Sequence, residues 1–180
     1  PVTPLNLSGA AGGMASLDVI DLTGDGSPEL VYIWGHGGNG VWEDQCRVFD
    51  LSTGEEYPVN VDLEPLSAQV EAELVEARED VLVYQVAGAG ITGLSTLERR
   101  SPDQEPGETL VLGEYTSIQL DREQGALELS VSIGVQGDAR HYSGNHLGML
   151  VTRLEFSPSL RAFTTVPANG ITLSPPAAEP

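Results

Sequence analysis

Residues 17–34 read LDVIDLTGDGSPELVYIW, in which an acidic loop separates two apolar segments. The segments 17–20 and 29–34 are rich in β-branched and aromatic side chains, which favour extended strands. The Asp, Gly, Ser and Pro residues between them favour a tight turn. This stretch therefore predicts two strands that pair as an antiparallel hairpin around the loop.

Oxygen-bearing side chains alternate through this loop. Asp21, Thr23 and Asp25 stand at positions 1, 3 and 5, with Ser27 and Glu29 at positions 7 and 9. Calcium binds six to eight oxygen atoms, and intervening glycines permit the curvature that points those oxygens inward. The spacing predicts a Ca²⁺ site in which Ser27 offers its backbone carbonyl and Glu29 closes the shell in bidentate fashion.

The loop lacks the features of an EF-hand. An EF-hand ends its twelve-residue loop with Glu and continues into a helix, whereas the twelfth position here is Tyr32 within a predicted strand. Residues 16–32 instead resemble the nine-residue calcium loop of FG-GAP and VCBS-type repeats. That resemblance implies that Asp21, Asp25 and Glu29 are carboxylate ligands, Thr23 a hydroxyl or water-mediated ligand, and Ser27 a carbonyl ligand.

Two positions depart from the usual pattern of these repeats. An acid or Asn is commoner than Thr at position 23, and Asp is commoner than Glu at position 29. Three carboxylates rather than four imply weak binding, with a dissociation constant of about 10⁻⁴ to 10⁻³ M. The alternative interpretation is an acidic Asp-Gly turn that holds no metal.

The chain contains one good copy of the loop, although a propeller would need several. Residues 121–129 (DREQGALEL) echo its spacing but lack the central Asp, which indicates a plain hairpin turn. A single loop followed by a β-rich extension is also similar to secreted proteins and lipoproteins of Gram-positive gut bacteria. This second resemblance implies an extracellular or surface-anchored location rather than an activity.

The rest of the chain predicts a mainly β fold, α+β at most, built from antiparallel hairpins with one short helix that opens near Pro65. We expect a glycine-rich excursion at 35–40 and a polar loop across 87–109. Further strands are predicted at 42–50, 56–61, 71–77, 81–86, 109–112, 115–120, 126–133, 147–156 and 160–166.

A length of 180 residues suits one folding unit. We expect a flexible linker at 1–15, a single β-rich domain at 16–166, and a tail rich in Pro and Ala at 167–180. The domain would comprise a calcium-loop hairpin region at 16–62 and a C-terminal β region at 63–166.

The net charge of −19 is the strongest compositional signal. A surface this acidic repels phosphate backbones and anionic lipid headgroups, so nucleic-acid and membrane-surface binding are excluded, and cations are favoured partners. All eight basic residues are Arg, which excludes chemistry that requires lysine. The lone Cys46 cannot form a disulfide within the chain, and its place beside a strand indicates a small buried apolar residue.

No segment approaches the 18 or so apolar residues of a membrane span, and the N-terminus lacks the pattern of a signal peptide. Either the chain is cytosolic or its signal has been removed. Its start, PVTP followed by small residues, is typical of a linker behind a lost leader or a lipid anchor.

A second candidate site surrounds the glycines at 35–40. Trp34, His36, Asn39 and Trp42 would place two indoles, an imidazole and an amide around a flexible loop, and aromatic faces beside polar groups can stack on a sugar ring. The alternative is that at least one of the indoles fills the core.

These observations predict a non-enzymatic, calcium-stabilised module at the cell surface or in the extracellular medium that binds a glycan or a surface protein. One alternative is an extracellular hydrolase with carboxylate catalysis, and another is a purely structural stalk. The sequence contains no Gly-x-Ser-x-Gly motif, no His-Glu-x-x-His motif and no phosphate loop.

Overall fold

The computed structural model describes residues 15–38, 41–99, 105–136 and 146–173. They form strands joined by turns, with one short helix, and this confirms the predicted mainly β fold. The elements are β1 (Ala15–Ile20), β2 (Glu29–Gly38), β3 (Val41–Asp50), β4 (Glu56–Tyr57), β5 (Val59–Asn60), α1 (Glu64–Ser67), β6 (Val70–Ala77), β7 (Val81–Gly88), β8 (Ile91–Glu98), β9 (Thr109–Asp121), β10 (Ala126–Gln136), β11 (His146–Ser157), β12 (Ala162–Thr165) and β13 (Gly170–Leu173).

Two sheets share one core. The larger sheet has the order β1-β2-β3-β9-β10-β11-β12-β5, with β4 added beside β3 and β13 beside β11. Its pairs are antiparallel except for β3 with β9 and β5 with β12, which are parallel. The smaller sheet is the antiparallel set β6-β7-β8. No helix among the described residues has the length and apolar character needed to cross a membrane.

Alternation of buried and partly exposed side chains on the central strands creates the core. Along β10, Leu127, Leu129 and Val131 have no exposed surface, whereas Glu128 and Ser130 between them are partly exposed. A strand with this period of two presents one apolar face. The smaller sheet covers that face with Leu82, Tyr84 and Val86 of β7, all buried.

Two hydrogen bonds between buried groups tie the smaller sheet to the rest of the protein. The Ser95 hydroxyl donates to the Leu147 carbonyl (2.6 Å), and the Tyr84 hydroxyl donates to the Gly107 carbonyl (3.1 Å). Burial of unpaired polar groups is costly, so these partners allow polar side chains at the interface between the sheets.

The structure corrects several boundaries in the first third. Residues 35–38, predicted as a glycine-rich excursion, continue β2 and pair with the start of β3. The strand expected at 56–61 is divided at Pro58 into β4, which pairs with β3, and β5, which pairs with β12. Proline lacks the N–H that would continue one ladder.

Further corrections concern the second half. The loop predicted at 87–109 contains β8, and its glycines accompany pairing with β7 rather than preventing it. The strands expected at 109–112 and 115–120 are one strand, β9, with Gly113 in the left-handed region (φ 91°). Residues 170–173, assigned to the tail, form β13 beside β11.

The prediction for 64–77 is confirmed. Pro65 lies in the first turn of α1, and β6 follows from Val70 to Ala77. β1 begins at Ala15, the last residue of the predicted linker, while residues 1–14 and 174–180 lie outside the described part of the chain.

Asp50 organises the turn between β3 and β4. Its carboxylate accepts hydrogen bonds from the N–H and hydroxyl of Ser52 (2.7 and 2.6 Å), from the N–H of Thr53 (3.1 Å) and from the Tyr57 hydroxyl (3.2 Å). The Ser52 hydroxyl, together with Thr53 and the Ser52 N–H, holds the pKa of Asp50 well below its ordinary value of 3.8, although burial acts in the opposite direction. The turn is therefore built around an ionised carboxylate.

We predict that Leu82→Ala lowers the free energy of unfolding by about 2 to 5 kcal/mol, because it opens a cavity between the sheets. Leu94→Ala, at a side chain that is 54% exposed on the neighbouring strand, should change it by no more than about 0.5 kcal/mol. Urea unfolding of both variants measures the difference. Equal losses would show that the smaller sheet does not pack through the Leu82 face.

We also predict a pH-dependent effect of Asp50→Asn. Because the folded-state pKa of Asp50 is lowered, its contribution to stability is present above the ordinary pKa of 3.8 and is lost as the pH falls through the folded-state value. The destabilisation caused by Asp50→Asn should therefore be largest near neutral pH and shrink below about pH 4. Thermal unfolding against pH measures it, with the exposed Asp80→Asn as control. A destabilisation that does not change with pH would contradict the assignment.

Candidate metal centre and neighbouring groove

The loop at 21–28 joins β1 to β2 and wraps its backbone around one carboxylate. Asp21 accepts hydrogen bonds from the N–H groups of Gly24 (2.8 Å) and Gly26 (2.9 Å), one on each oxygen. Both glycines have positive φ, 74° and 86°, a conformation that residues with a Cβ rarely adopt. The glycines therefore permit the turn that Asp21 organises.

The other two acids of the loop also accept backbone N–H groups. Asp25 accepts from Ser27 (2.7 Å). Glu29, only 1% exposed at the start of β2, accepts from the N–H groups of Leu22 (2.7 Å) and Thr23 (3.2 Å). The loop thus bends over Glu29 and closes it from solvent.

Asp21, Asp25 and Glu29 form a compact trio. One carboxylate oxygen from each lies within 4.8 Å of the other two. Because Ca–O distances are about 2.3 to 2.6 Å, two oxygens bound to the same ion are at most about 5 Å apart. The separation is therefore compatible with one shared calcium ion.

Electrostatics make this trio unfavourable without a cation. Burial raises the pKa of the Glu29 carboxyl above its ordinary value, and the charges of Asp21 and Asp25 raise it further, while the N–H groups of Leu22 and Thr23 lower it. The three negative charges repel one another. A divalent cation would remove that repulsion.

The remaining two predicted ligands lie at the edge of the trio. The Thr23 hydroxyl donates to the second oxygen of Glu29 at 3.4 Å, which is a long contact. Ser27 is held through its N–H by Asp25. The structure therefore brings the three predicted carboxylates together, with Thr23 against Glu29 and Ser27 against Asp25.

The turn between β9 and β10 packs against the loop at 21–28. Arg122, in the turn between β9 and β10, forms an ion pair with Asp18 of β1. Gly125 of the same turn lies so close that an added Cβ would be 3.4 Å from the Asp21 carbonyl oxygen. The 121–129 segment is thus the plain hairpin turn that the sequence predicts, and it supports the loop.

Glu29 and Asp50 are cross-strand neighbours on β2 and β3, and both are buried. The pKa of Glu29 is raised mainly by burial, and that of Asp50 is lowered mainly by the Ser52 hydroxyl. Opposed shifts on neighbouring acids can mark an acid–base pair. Here each carboxylate is occupied by the N–H groups of its own turn, and neither lines either cavity described below.

The two predicted indoles are not brought together. Trp34 stacks on Tyr32 with ring centroids 4.9 Å apart. Trp42 pairs with Gly37 of β2, so the two residues share a face of the sheet. Trp34 lies three residues before Gly37 on the same strand, and successive residues of a strand point to alternate faces. The two indoles therefore lie on opposite faces. His36 lies 3.8 Å from Glu43 on the solvent-exposed hairpin end. Asn39 lies outside the described residues.

Trp42 is held in a fixed orientation. Its indole N–H donates to one oxygen of Asp44 (2.8 Å), whose other oxygen accepts the N–H of Ile118 on β9 (2.9 Å). A Cβ added to Gly35 or Gly37 would meet the indole at 2.2 or 2.9 Å, so only glycine permits this packing. Asp44 therefore joins β3 to β9 and anchors the ring.

A groove of about 450 Å³ opens beside this indole. Side chains of β9 that the sequence analysis did not identify form one wall, namely Tyr115, Ser117 and Gln119. Their alternation with Thr116 and Ile118 was visible in the sequence, but the parallel pairing of β9 with β3 was not. A second cavity of about 310 Å³ shares Tyr115 as a wall.

Cys46 agrees with its predicted role. It is partly buried and packs against the core, and burial raises the pKa of its thiol to about 12. The thiolate required for nucleophilic or metal chemistry is therefore negligible at neutral pH.

Comparisons with known proteins identify no relative. No protein-family model matches the sequence, no curated protein gives a significant match, and no solved structure gives a significant match to the fold.

Proposed function

We propose that residues 21–29 bind one calcium ion and that the protein is a non-catalytic, calcium-stabilised interaction module of the cell surface or extracellular medium. The observation that carries the proposal is the convergence of Asp21, Asp25 and Glu29 within 4.8 Å, with Glu29 buried. Each carboxylate retains lone pairs beyond those used by the backbone donors, so metal binding does not require the turn to unfold.

The charge balance supports a cation as the ligand. The three acids of the loop converge, and none of them takes part in a described ion pair; Arg122 of the neighbouring turn pairs with Asp18 instead. A net charge of −19 adds a long-range field that attracts divalent cations. Calcium suits the site because its ligands are hard oxygens in a flexible loop.

The expected affinity supports an extracellular setting. Three carboxylates predict a dissociation constant of about 10⁻⁴ to 10⁻³ M, which is the range of extracellular calcium modules. Such a site would be occupied where calcium is millimolar. Calcium would then act structurally, by neutralising the acids that close the β1–β2 hairpin.

The hydrolase alternative has one observation in its favour, the opposed pKa shifts of Glu29 and Asp50. Both carboxylates are engaged in holding turns, and neither lines the groove or the cavity beside it. The groove beside Trp42 supports an interaction module over a stalk, since a stalk requires no concave surface.

We predict that about 5 mM calcium, compared with EGTA, stabilises the protein by about 1 to 2 kcal/mol and raises the unfolding midpoint by about 2 to 8 °C. Asp25→Asn should abolish the shift, because it removes one of the three carboxylates. Asp80→Asn, which removes an equal charge outside the loop, should retain it. Identical melting curves of the unmodified protein in calcium and EGTA would refute the calcium site.

Glu29→Gln should separate the effect of the buried charge on stability from the effect of calcium binding. Since the folded-state pKa of Glu29 is raised, its contribution to stability is present below the ordinary value of 4.5 and is lost as the pH rises through the folded-state value. In EGTA at pH 7 we therefore expect Glu29→Gln to melt at or above the temperature of the unmodified protein, and to gain nothing from calcium. The prediction would be contradicted if, in EGTA, Glu29→Gln had a lower unfolding midpoint than the unmodified protein at pH 7 and the same midpoint at pH 4.

A further inference from the structure

The groove between β1–β3 and β9 has features of a built binding site. It is lined by Trp42 and Tyr115, by Ser16, Ser117 and Gln119, and by Asp44, which accepts the indole N–H. Its volume of about 450 Å³ falls within the range of small-molecule sites, about 300 to 1,000 Å³.

The orientation of the indole leaves one of its faces available. Opposite corners of the six-membered ring, Cζ2 and Cε3, approach Gly35 and Gly37 respectively. The ring therefore lies flat along β2, with one face against the backbone of the two glycines. Trp42 is partly exposed and lines the groove, so the face that does not contact the glycines is the one that can contact a ligand.

The polar groups of the groove are free to bind a ligand. Within the described part of the chain, the side chains of Ser16, Ser117 and Gln119 make no hydrogen bond. Hydroxyl and amide groups both donate and accept, which matches the hydroxyl groups of a sugar. Tyr115, 39% exposed, adds a second aromatic ring directly opposite Trp42 in the parallel register of β3 and β9.

Charge narrows the class of ligand. Both oxygens of Asp44 are occupied, one by the Trp42 N–H and the other by the Ile118 N–H, so the carboxylate has its hydrogen-bonding needs met within the fold. Among the residues that the structure describes, no Arg lines the groove, and the net charge of −19 repels anionic polymers. A neutral ligand with apolar faces and hydroxyl edges fits these conditions.

We propose that this groove binds a neutral saccharide, with one sugar ring stacked on Trp42 and its hydroxyls on Ser16, Ser117 and Gln119. Tyr115 also forms a wall of the second cavity, beside Met149 and Leu173, so a longer saccharide extends over Tyr115 into it. The inference rests on the proposed function, because it names the ligand class of the interaction module.

The two tryptophans provide the test, since they lie on opposite faces of the hairpin and are the only two in the chain. Trp34→Phe leaves Trp42 as the sole reporter in the groove, and Trp42→Phe leaves Trp34 as the matched control. Each is titrated with maltohexaose, cellohexaose and xylohexaose to about 10 mM while indole fluorescence is recorded, a concentration that detects a dissociation constant of about 1 mM, or a binding free energy of about −4 kcal/mol. Circular dichroism verifies that both variants are folded.

We expect at least one hexasaccharide to produce a saturable change in Trp34→Phe and none in Trp42→Phe. Adding Tyr115→Ala to Trp34→Phe should weaken binding about 3- to 10-fold, the usual value of one aromatic contact. The corresponding monosaccharide should bind more weakly than the hexasaccharide. No saturable change with any of the three, or an equal change in both single-tryptophan variants, overturns the proposal.

The same titration in calcium and in EGTA separates this inference from the proposed calcium site. If the protein binds a saccharide but has the same unfolding midpoint in calcium and in EGTA, the saccharide site is supported and the metal site is refuted. A calcium-dependent melting shift without any saccharide response would refute the groove and leave the metal site standing.

Discussion

The attachment of β3 to β9 is the constraint on which the N-terminal third depends. Only two residue pairs, Trp42 with Tyr115 and Glu43 with Thr116, join these parallel strands. The Asp44 carboxylate extends the junction by accepting the Ile118 N–H while it holds the indole of Trp42. Backbone pairing between the two strands ends there and the groove lies beside this junction, so Asp44 both joins the two strands and lines the groove.

Acidic residues perform opposite tasks in the two neighbouring turns. Asp50 is a satisfied anion, because hydroxyl and backbone donors surround it and lower its pKa. Burial raises the pKa of Glu29, its cross-strand neighbour, and two further acids beside it raise that pKa further. The first arrangement stabilises the fold by itself, whereas the second is stable only to the extent that protons or cations reduce the repulsion.

Local patterns predicted much of the fold from sequence. The β1–β2 hairpin, the helix at Pro65 and the alternation of β10 all follow from periodicity and turn residues within a few positions. The predictions failed where a distant partner decides the outcome. β8 forms despite Gly93 because β7 offers a ladder, and Gly35 and Gly37 stay in β2 because Trp42 packs on them. Likewise, the acid trio follows from spacing within one loop, but the Tyr115 wall requires a pairing across about 70 residues.

The parallel contact between β5 and β12 has a consequence for folding kinetics. Val59 pairs with Phe163 and Asn60 with Thr164, roughly 100 residues apart in the chain. The pairing of β3 with β9 also joins segments that are distant in sequence. Contacts of such long sequence separation require loop closure before they contribute stability, which slows folding. During synthesis from the N-terminus, the β1–β2 hairpin can form early, while β5 and the part of β3 that pairs with β9 stay unpaired until the later strands emerge. The newly made chain therefore passes through a period in which open strand edges favour aggregation, and its strong negative charge opposes association during that period.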